Sequence, residues 1–540
     1  MFHVISSTPF RSGAARVAGV PGWCVAGIVS LFSLVASGQE NLLFYIKEYR
    51  IDGAKQLTNL EVGEAVYPYL GPGRTPDDVE QARQALEKVY HDKGFQSVSV
   101  SIPQQDPRRG IIRLEVTEGR VGRLRVTGAK WHLPSRVKAE VPSLAEGSVP
   151  DFNEVSRDMM AVNRLADRRV TPELKPGIEP GTVDINLVVE DESPLHGSLE
   201  LNNRYSADTT PLRLNGALSY ANLFQLGHTL GLSTQVAPEN TDDALVYSAY
   251  YLARVSNKIS LLTQATKQDS DISTIGGAAV AGKGETFGIR ALIDLPTGEN
   301  FYQSFNIGID YKNFDEDLKI GGDTIPAPIE YYPISANHSA AWMSDKSFTE
   351  LNNSLTFNLR GMGSDQSDYD NKRFNASGSF IYLRSDASHI RDLENGARLF
   401  GKLQGQVASG PLINNEQFAG GGLGSVRGYL EATVLGDYGV AGTFEIRSPT
   451  LIGGGEKHQP GHTPEDEWRF HAFVDSAVLG IHDSLPGQKS RVRLASMGMG
   501  SRIRWREHYN GSVDVAMPLI EQTNADDGSI RVTFRGWAEF

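Results

Sequence analysis

The sequence predicts two small α+β modules followed by an all-β, antiparallel transmembrane barrel of about sixteen strands. Three observations predict it. The order β-α-α-β-β occurs twice, over residues 44–120 and 121–193. Beyond Pro194, apolar and polar residues alternate at period two, with turn residues between the runs. The chain stops on an amphipathic strand whose last residue is Phe540.

In order along the chain, residues 1–38 read as a secretory signal peptide. Arg11 and Arg16 precede an apolar run over 17–36, and small residues follow at Ala36, Ser37 and Gly38. An uncleaved anchor is the alternative. The single cysteine, Cys24, lies inside this segment, so cleavage leaves no thiol for disulfide or metal chemistry. The net charge of −13 excludes a general nucleic-acid binder. No other run reaches the ~20 apolar residues of a transmembrane helix, which says nothing about strands.

The first module opens with an alternating strand over 45–53. Its second helix is well marked: Thr75 as N-cap, Pro76 at the first helical position and Asp78 completing the capping pattern. Val79, Ala82, Leu86, Val89 and Tyr90 form one apolar stripe, and Gly94 stops the helix. Strands over 95–102 and 111–117 follow. The second module repeats this with a strand over 123–128 and a short helix over 134–144. A helix then opens at Asp151, with Glu154 three residues on and Val155, Met159, Val162 and Ala166 on one face, before a strand over 183–190. Such small sheets have edges that can add an extended peptide as a further strand; a spacing role is the alternative.

This order, with strand–glycine openings at Gly53 and Gly128, resembles POTRA domains. Residues 102–106 and 116–119 of the first module, and 163–165, 174–177 and 180–184 of the second, resemble those of TpsB proteins, the outer-membrane transporters of two-partner secretion.

The barrel strands carry one apolar and one polar face. Over 301–313, Phe305, Ile307, Ile309 and Tyr311 oppose Ser304, Asn306, Gly308, Asp310 and Lys312. A soluble sandwich would bury the apolar faces together, whereas a membrane barrel turns them to lipid around a polar lumen. The first strand is expected over 197–206, the tenth over 372–384 and the last over 529–540. The join over 450–467 is long for a periplasmic turn. In the last strand Ile530, Val532, Phe534, Gly536, Ala538 and Phe540 alternate with Arg531, Thr533, Arg535, Trp537 and Glu539. It resembles the terminal signal of bacterial outer-membrane barrels, with Phe534, Trp537 and Phe540 as its aromatics. That resemblance implies the barrel-assembly machinery and outer-membrane lipid as partners.

The loop over 409–436, between strands eleven and twelve, gathers Gly420, Gly421, Gly422 and Gly424 before Val426, Arg427, Gly428 and Tyr429. Glycines permit close backbone approach, and a lone guanidinium among them seeks a fixed anion, either a phosphate or a carboxylate. TpsB proteins and their BamA-type relatives carry such a Val-Arg-Gly-Tyr loop folded into the lumen. Its arginine pairs with the aspartate of a Phe-x-Asp-x-Gly motif on strand thirteen. The matching residues here are Phe473 and Asp475, with Ala477 in the glycine's place. The resemblance implies a translocase that exports an unfolded TpsA-like haemolysin or adhesin without nucleotide hydrolysis, from an outer-membrane site with periplasmic POTRA domains. A BamA- or TamA-like insertase is the alternative; two modules favour the transporter. Too few residues follow the expected cleavage site for the plug helix and linker that TpsB proteins often carry.

Other chemistries find little support. A phosphate-binding glycine loop must open a helix, and nothing helical follows Gly428. His458, His462 and His471, with Glu465 and Asp466, lack metal-ligand spacing. We expect no metal, no cofactor, no catalytic residues and no enzymatic activity.

Overall fold

The computed structural model describes residues 43–540 apart from 271–272, 276–277, 281–282, 299, 316, 321–322, 453–465 and 523–524. The expected signal peptide, His458, His462, Glu465 and most of the long 450–467 join lie outside the described residues. The chain divides into two compact units, one ending at Glu192 and one beginning at Ser193.

In the first unit, each module is a three-stranded sheet covered by two helices. The strand Ile111–Glu118 runs parallel to Glu48–Asp52 and antiparallel to Val98–Ser101. Thr75 and Asp78 close a capping box at the start of the helix Pro76–Asp92, each satisfying the other's backbone N–H. That helix buries Val79, Ala82, Leu86 and Tyr90 against Ile112, Leu114 and Val116. In the second module Thr182–Asp191 runs parallel to Arg120–Thr127 and antiparallel to Arg168–Pro176. Asp151 caps the helix Phe152–Val162 by accepting from Asn153 N at 2.8 Å. The helix ends at Val162, so Ala166, expected on its inner face, belongs to the turn beyond.

The repeat extends to the turn glycines. Gly53 and Gly128 have φ of 92° and 85°. A Cβ on either would collide with a carbonyl of the central strand, Val116 O in one module and Val189 O in the other. Only glycine meets both conditions. An acid near the end of each central strand then gathers the amides that follow that glycine. Glu118 accepts from Lys55 N and Gln56 N at 2.6 and 2.8 Å. Asp191 accepts from Trp131 N and His132 N at 2.7 and 3.0 Å.

The second unit is a closed antiparallel barrel of sixteen strands, in which the eighth is interrupted between Ile329–Tyr331 and Ile334–Ser344. The first strand is Leu195–Asn202 and the last Arg531–Glu539; they close the barrel through the pairs from Arg535↔Asn202 to Glu539↔Ser198. Leu218, Leu232, Phe287 and Val474 stand exposed on the outer wall, while Asp310, Asp475 and Asp514 are buried on the inner one. Trp342, Trp505 and Tyr509 are exposed beside the short joins, as in an interfacial girdle.

One strand is misplaced by the sequence reading. The tenth is Ile381–Asp392, nine residues beyond the expected start, because Gln366–Lys372 forms a helix. That helix buries Tyr369 in a cluster with Phe314, Tyr331, Phe380, Tyr382, Leu412 and Ile413, which fills the mouth beside strands seven to eleven. A capping box between Asp365 and Asp368 starts it.

Candidate functional site

The loop between the eleventh strand, Arg398–Ala408, and the twelfth, Tyr438–Arg447, turns back into the barrel. Its arms, Phe418–Gly420 and Val434–Gly436, pair as a two-stranded ribbon. A buried carboxylate fixes each end. Glu416 accepts from Lys312 Nζ, Tyr331 OH and Tyr382 OH, each at 2.6 Å. Asp437 pairs with Arg373 and accepts from Leu412 N at 3.0 Å and His482 N at 2.6 Å.

The tip is held more elaborately. Arg427 Nε donates to Asp475 Oδ2 at 2.8 Å and Nη2 to Asp475 Oδ1 at 2.9 Å, so the fork meets both carboxylate oxygens. The backbone N–H of Arg427 adds a third bond to Asp475 at 3.1 Å. The remaining Nη1 donates to Glu445 at 2.7 Å and lies 3.7 Å from Asp514. The guanidinium lies over the Phe473 ring, 3.4 Å from its centroid. Around this sit Arg447 and Arg502, both on Glu445, and His471, whose Nε2 is 2.6 Å from Asp514. Three arginines thus face three carboxylates. Arg427 is 4% exposed and Asp475 3%, so each charge depends on its partners rather than on water.

The neighbouring residues complete the anchorage. Tyr429 is buried, and its hydroxyl donates to Ile520 O at 2.6 Å and lies 3.0 Å from Ala495 O. Gly428 has φ of 97°, and a Cβ there would lie 3.2 Å from Pro518 N. Gly421 and Gly422 also have positive φ, and a Cβ on Gly422 would strike the Glu431 carboxylate that pairs with Arg204. Gly420 packs on Leu479 and Leu494. Gly424 has open space around it and ordinary φ, so nothing in its surroundings requires glycine. Ala477, standing where the motif has glycine, is buried in one cluster with Val426 and Tyr429.

The residues singled out in the sequence therefore divide. Arg427, Gly428, Tyr429, Phe473 and Asp475 meet at one place; Gly424 stands apart. At the C-terminus, Phe540 packs its ring on Gly197, and its N–H and C=O pair with Gly197 at 3.0 and 2.8 Å. Trp537 sits on the opposite face from Phe534 and Phe540, under Arg535 at 4.2 Å and donating to Glu539 at 3.0 Å. Sequence reasoning missed Glu445 and Asp514, and weighed His471 only for a metal site. Each is a charged or polar residue at an inward position of its own strand, and inward parity near Arg427 is the signal that would have found them.

Residues 44–119 match the family model of the ShlB-type POTRA domain. Residues 181–461, more than half the chain, match that of the haemolysin secretion/activation protein ShlB/FhaC/HecB. The chain belongs to that family. This ShlB/FhaC/HecB-family chain is 23% identical over 421 residues to the outer membrane transporter CdiB of Dickeya dadantii, covering 73% of this chain and 71% of that protein. It is 28% identical over 187 residues to CdiB of Escherichia coli, 35% of this chain and 32% of the relative. Two solved structures share its fold. CdiB from Escherichia coli superposes with a TM-score of 0.63 at 21% identity, over 95% of this chain and 93% of that one. BamA from Haemophilus ducreyi lacking POTRA domains 1–3 gives 0.54 at 16% identity, over 92% and 100%. The family is one of outer-membrane transporters that secrete partner proteins, and in it the POTRA domains are periplasmic.

Proposed function

We propose that this chain exports one unfolded, TpsA-like secreted partner through its lumen, with the loop over 409–436 as a latch that sets the state of the pore. The observation that carries the proposal is the buried clamp on Arg427: five side-chain and backbone bonds or close charge contacts converge on one loop residue inside a channel. A clamp of this kind costs about 3–5 kcal/mol to break from one side, enough to hold one loop conformation against thermal motion. It is nonetheless polar, so a passing chain can offer replacement hydrogen bonds. No nucleotide is assigned to the process; folding of the client outside the cell supplies direction.

The modules over 44–120 and 121–193 capture extended client segments along the open edges of their sheets and deliver them to the barrel over 195–540. Phe534 and Phe540, on the outer face of the closing strand, present the signal to the barrel-assembly machinery, and outer-membrane lipid covers the apolar wall. The likeness to BamA is one of fold and does not favour an insertase.

Depletion of the chain, followed by quantitative proteomics of the outer membrane and the medium, tests this reading. Loss of one large secreted protein with other barrels unchanged supports export. A broad fall in outer-membrane barrels overturns it.

A further inference from the structure

We infer that the client slides along one particular wall of the lumen, the inner face of strands two to five, which forms an uncharged polar track for an extended polypeptide. The inference rests on the export reading and adds where in the barrel the chain runs.

The register defines the track. Ser198 pairs with Ala217, Ala217 with Ser233, Ser233 with Ser248, Ser248 with Thr266 and Thr266 with Thr286. Six short side chains thus lie side by side across six strands. Their strand neighbours Leu218, Leu232, Tyr247 and Phe287 are the exposed apolar residues of the outer wall, so this row points inward. Above and below it the inward positions hold Asn215, Thr229, Gln235, Tyr250, Gln264 and Gln268, with Val246, Leu252 and Leu262 as apolar interruptions. Along strands two to five the inward charges are Arg213 at the outer end and Arg254 at the periplasmic end, and both are turned onto rim carbonyls. Ion pairs bound the track on either side, Arg535–Glu200 and Arg290–Asp310.

The aromatic cluster around Tyr331 and Tyr369 packs at the outer ends of strands seven, eight, ten and eleven, and the latched loop packs on strands twelve to fifteen. Arg204 with Glu431 ties the loop to the end of strand one. Among the described residues, no segment packs on the row from Ala217 to Thr266, and Ala217 itself is exposed.

The chemistry suits an unfolded chain of any sequence. An extended polypeptide must keep its own N–H and C=O groups hydrogen-bonded, and serine, threonine, asparagine and glutamine both donate and accept. Fixed charges in a narrow lumen would hold client residues of one sign and repel the other. Short side chains also lose little rotamer entropy on contact. The charged wall under the loop meets none of these conditions.

The test uses the full chain with Cys24→Ser, reconstituted in bilayers, and an unfolded glycine/serine-rich peptide bearing one cysteine as probe. Single cysteines are placed at Ser248 and Thr266 on the track, at Ser512 on the inner face of strand fifteen, and at Ala249 on the lipid face. A small water-soluble thiol reagent first shows that the lumen cysteines react. The expected result is several-fold more disulfide-trapped peptide at Ser248 and Thr266 than at Ser512, and none above background at Ala249. Trapping at Ser512 equal to or above Ser248 overturns the track while leaving export through the lumen intact. Trapping at no lumen position, with all of them reactive, overturns both.

Discussion

At the scale of single residues, the geometry makes arginine at 427 irreplaceable by lysine. Three nitrogens point to two acids on different strands, and an ammonium cannot hold both at those angles. Arg427→Lys is therefore expected to secrete little more than Arg427→Ala, measured as client in the medium per barrel in the membrane. Asp475→Asn keeps the shape but removes the charge, and is expected to reduce secretion in the same assay. Arg427 and Asp475 were legible because each lies in a short local motif. Glu445 and Asp514 were not, because only the register brings their strands under the loop. The second module offers a residue-scale pH prediction. Burial and the nearby Arg168 charge push His132 below its ordinary value of 6.5, outweighing its Asp191 partner. Burial raises the Asp191 carboxyl, but the N–H groups of Lys130, Trp131 and His132 outweigh it and hold it below its ordinary range. Both folded-state values are depressed, so the stability each contributes is present above the unfolded value and lost as pH falls. The first loss is due to His132, starting below about pH 6.5. The protection factors of amides in the strand Thr182–Asp191 of the full chain, taken relative to the intrinsic exchange rate at each pH, should therefore fall from neutral pH to about pH 5. In His132→Asn that fall should be smaller.

At the scale of elements, the loop glycines separate into those the fold needs and one it does not. Gly422→Ala must force a side chain into positive φ and into the Glu431 carboxylate, losing about 1–2 kcal/mol and loosening the Arg204 tie. Gly424→Ala meets open space and should behave as wild type. Limited proteolysis within the loop distinguishes them: faster cleavage is expected for Gly422→Ala alone. The helix Pro76–Asp92, with its capping box and long apolar stripe, and the long alternating strands could be read from sequence because their signals are local. The helix Gln366–Lys372 could not. It is short and almost wholly polar, and the burial of Tyr369 against Tyr331, far away in sequence, decides its conformation. Reading strand from 372 onward followed from missing it. Trp537 shows residue type and strand parity in conflict. Its aromatic character groups it with the terminal signal, yet the alternation legible in the sequence already sets it on the other face with Arg535, where the structure finds it.

At the scale of the whole molecule, a sixteen-strand barrel is too wide to be a selective path by itself, and the loop and the aromatic cluster narrow it. Client capture, passage and pore state are then tasks of different parts, namely the module edges, the neutral wall and the Arg427 clamp. If so, deleting either module should lower secretion while leaving a barrel that still assembles, as judged by heat-modifiable mobility. The measurement that bears most directly on this account is secretion by Arg427→Ala at wild-type abundance in the outer membrane. The account predicts a folded, inserted barrel that has lost most of its export. Normal secretion from a barrel present at normal abundance would contradict it.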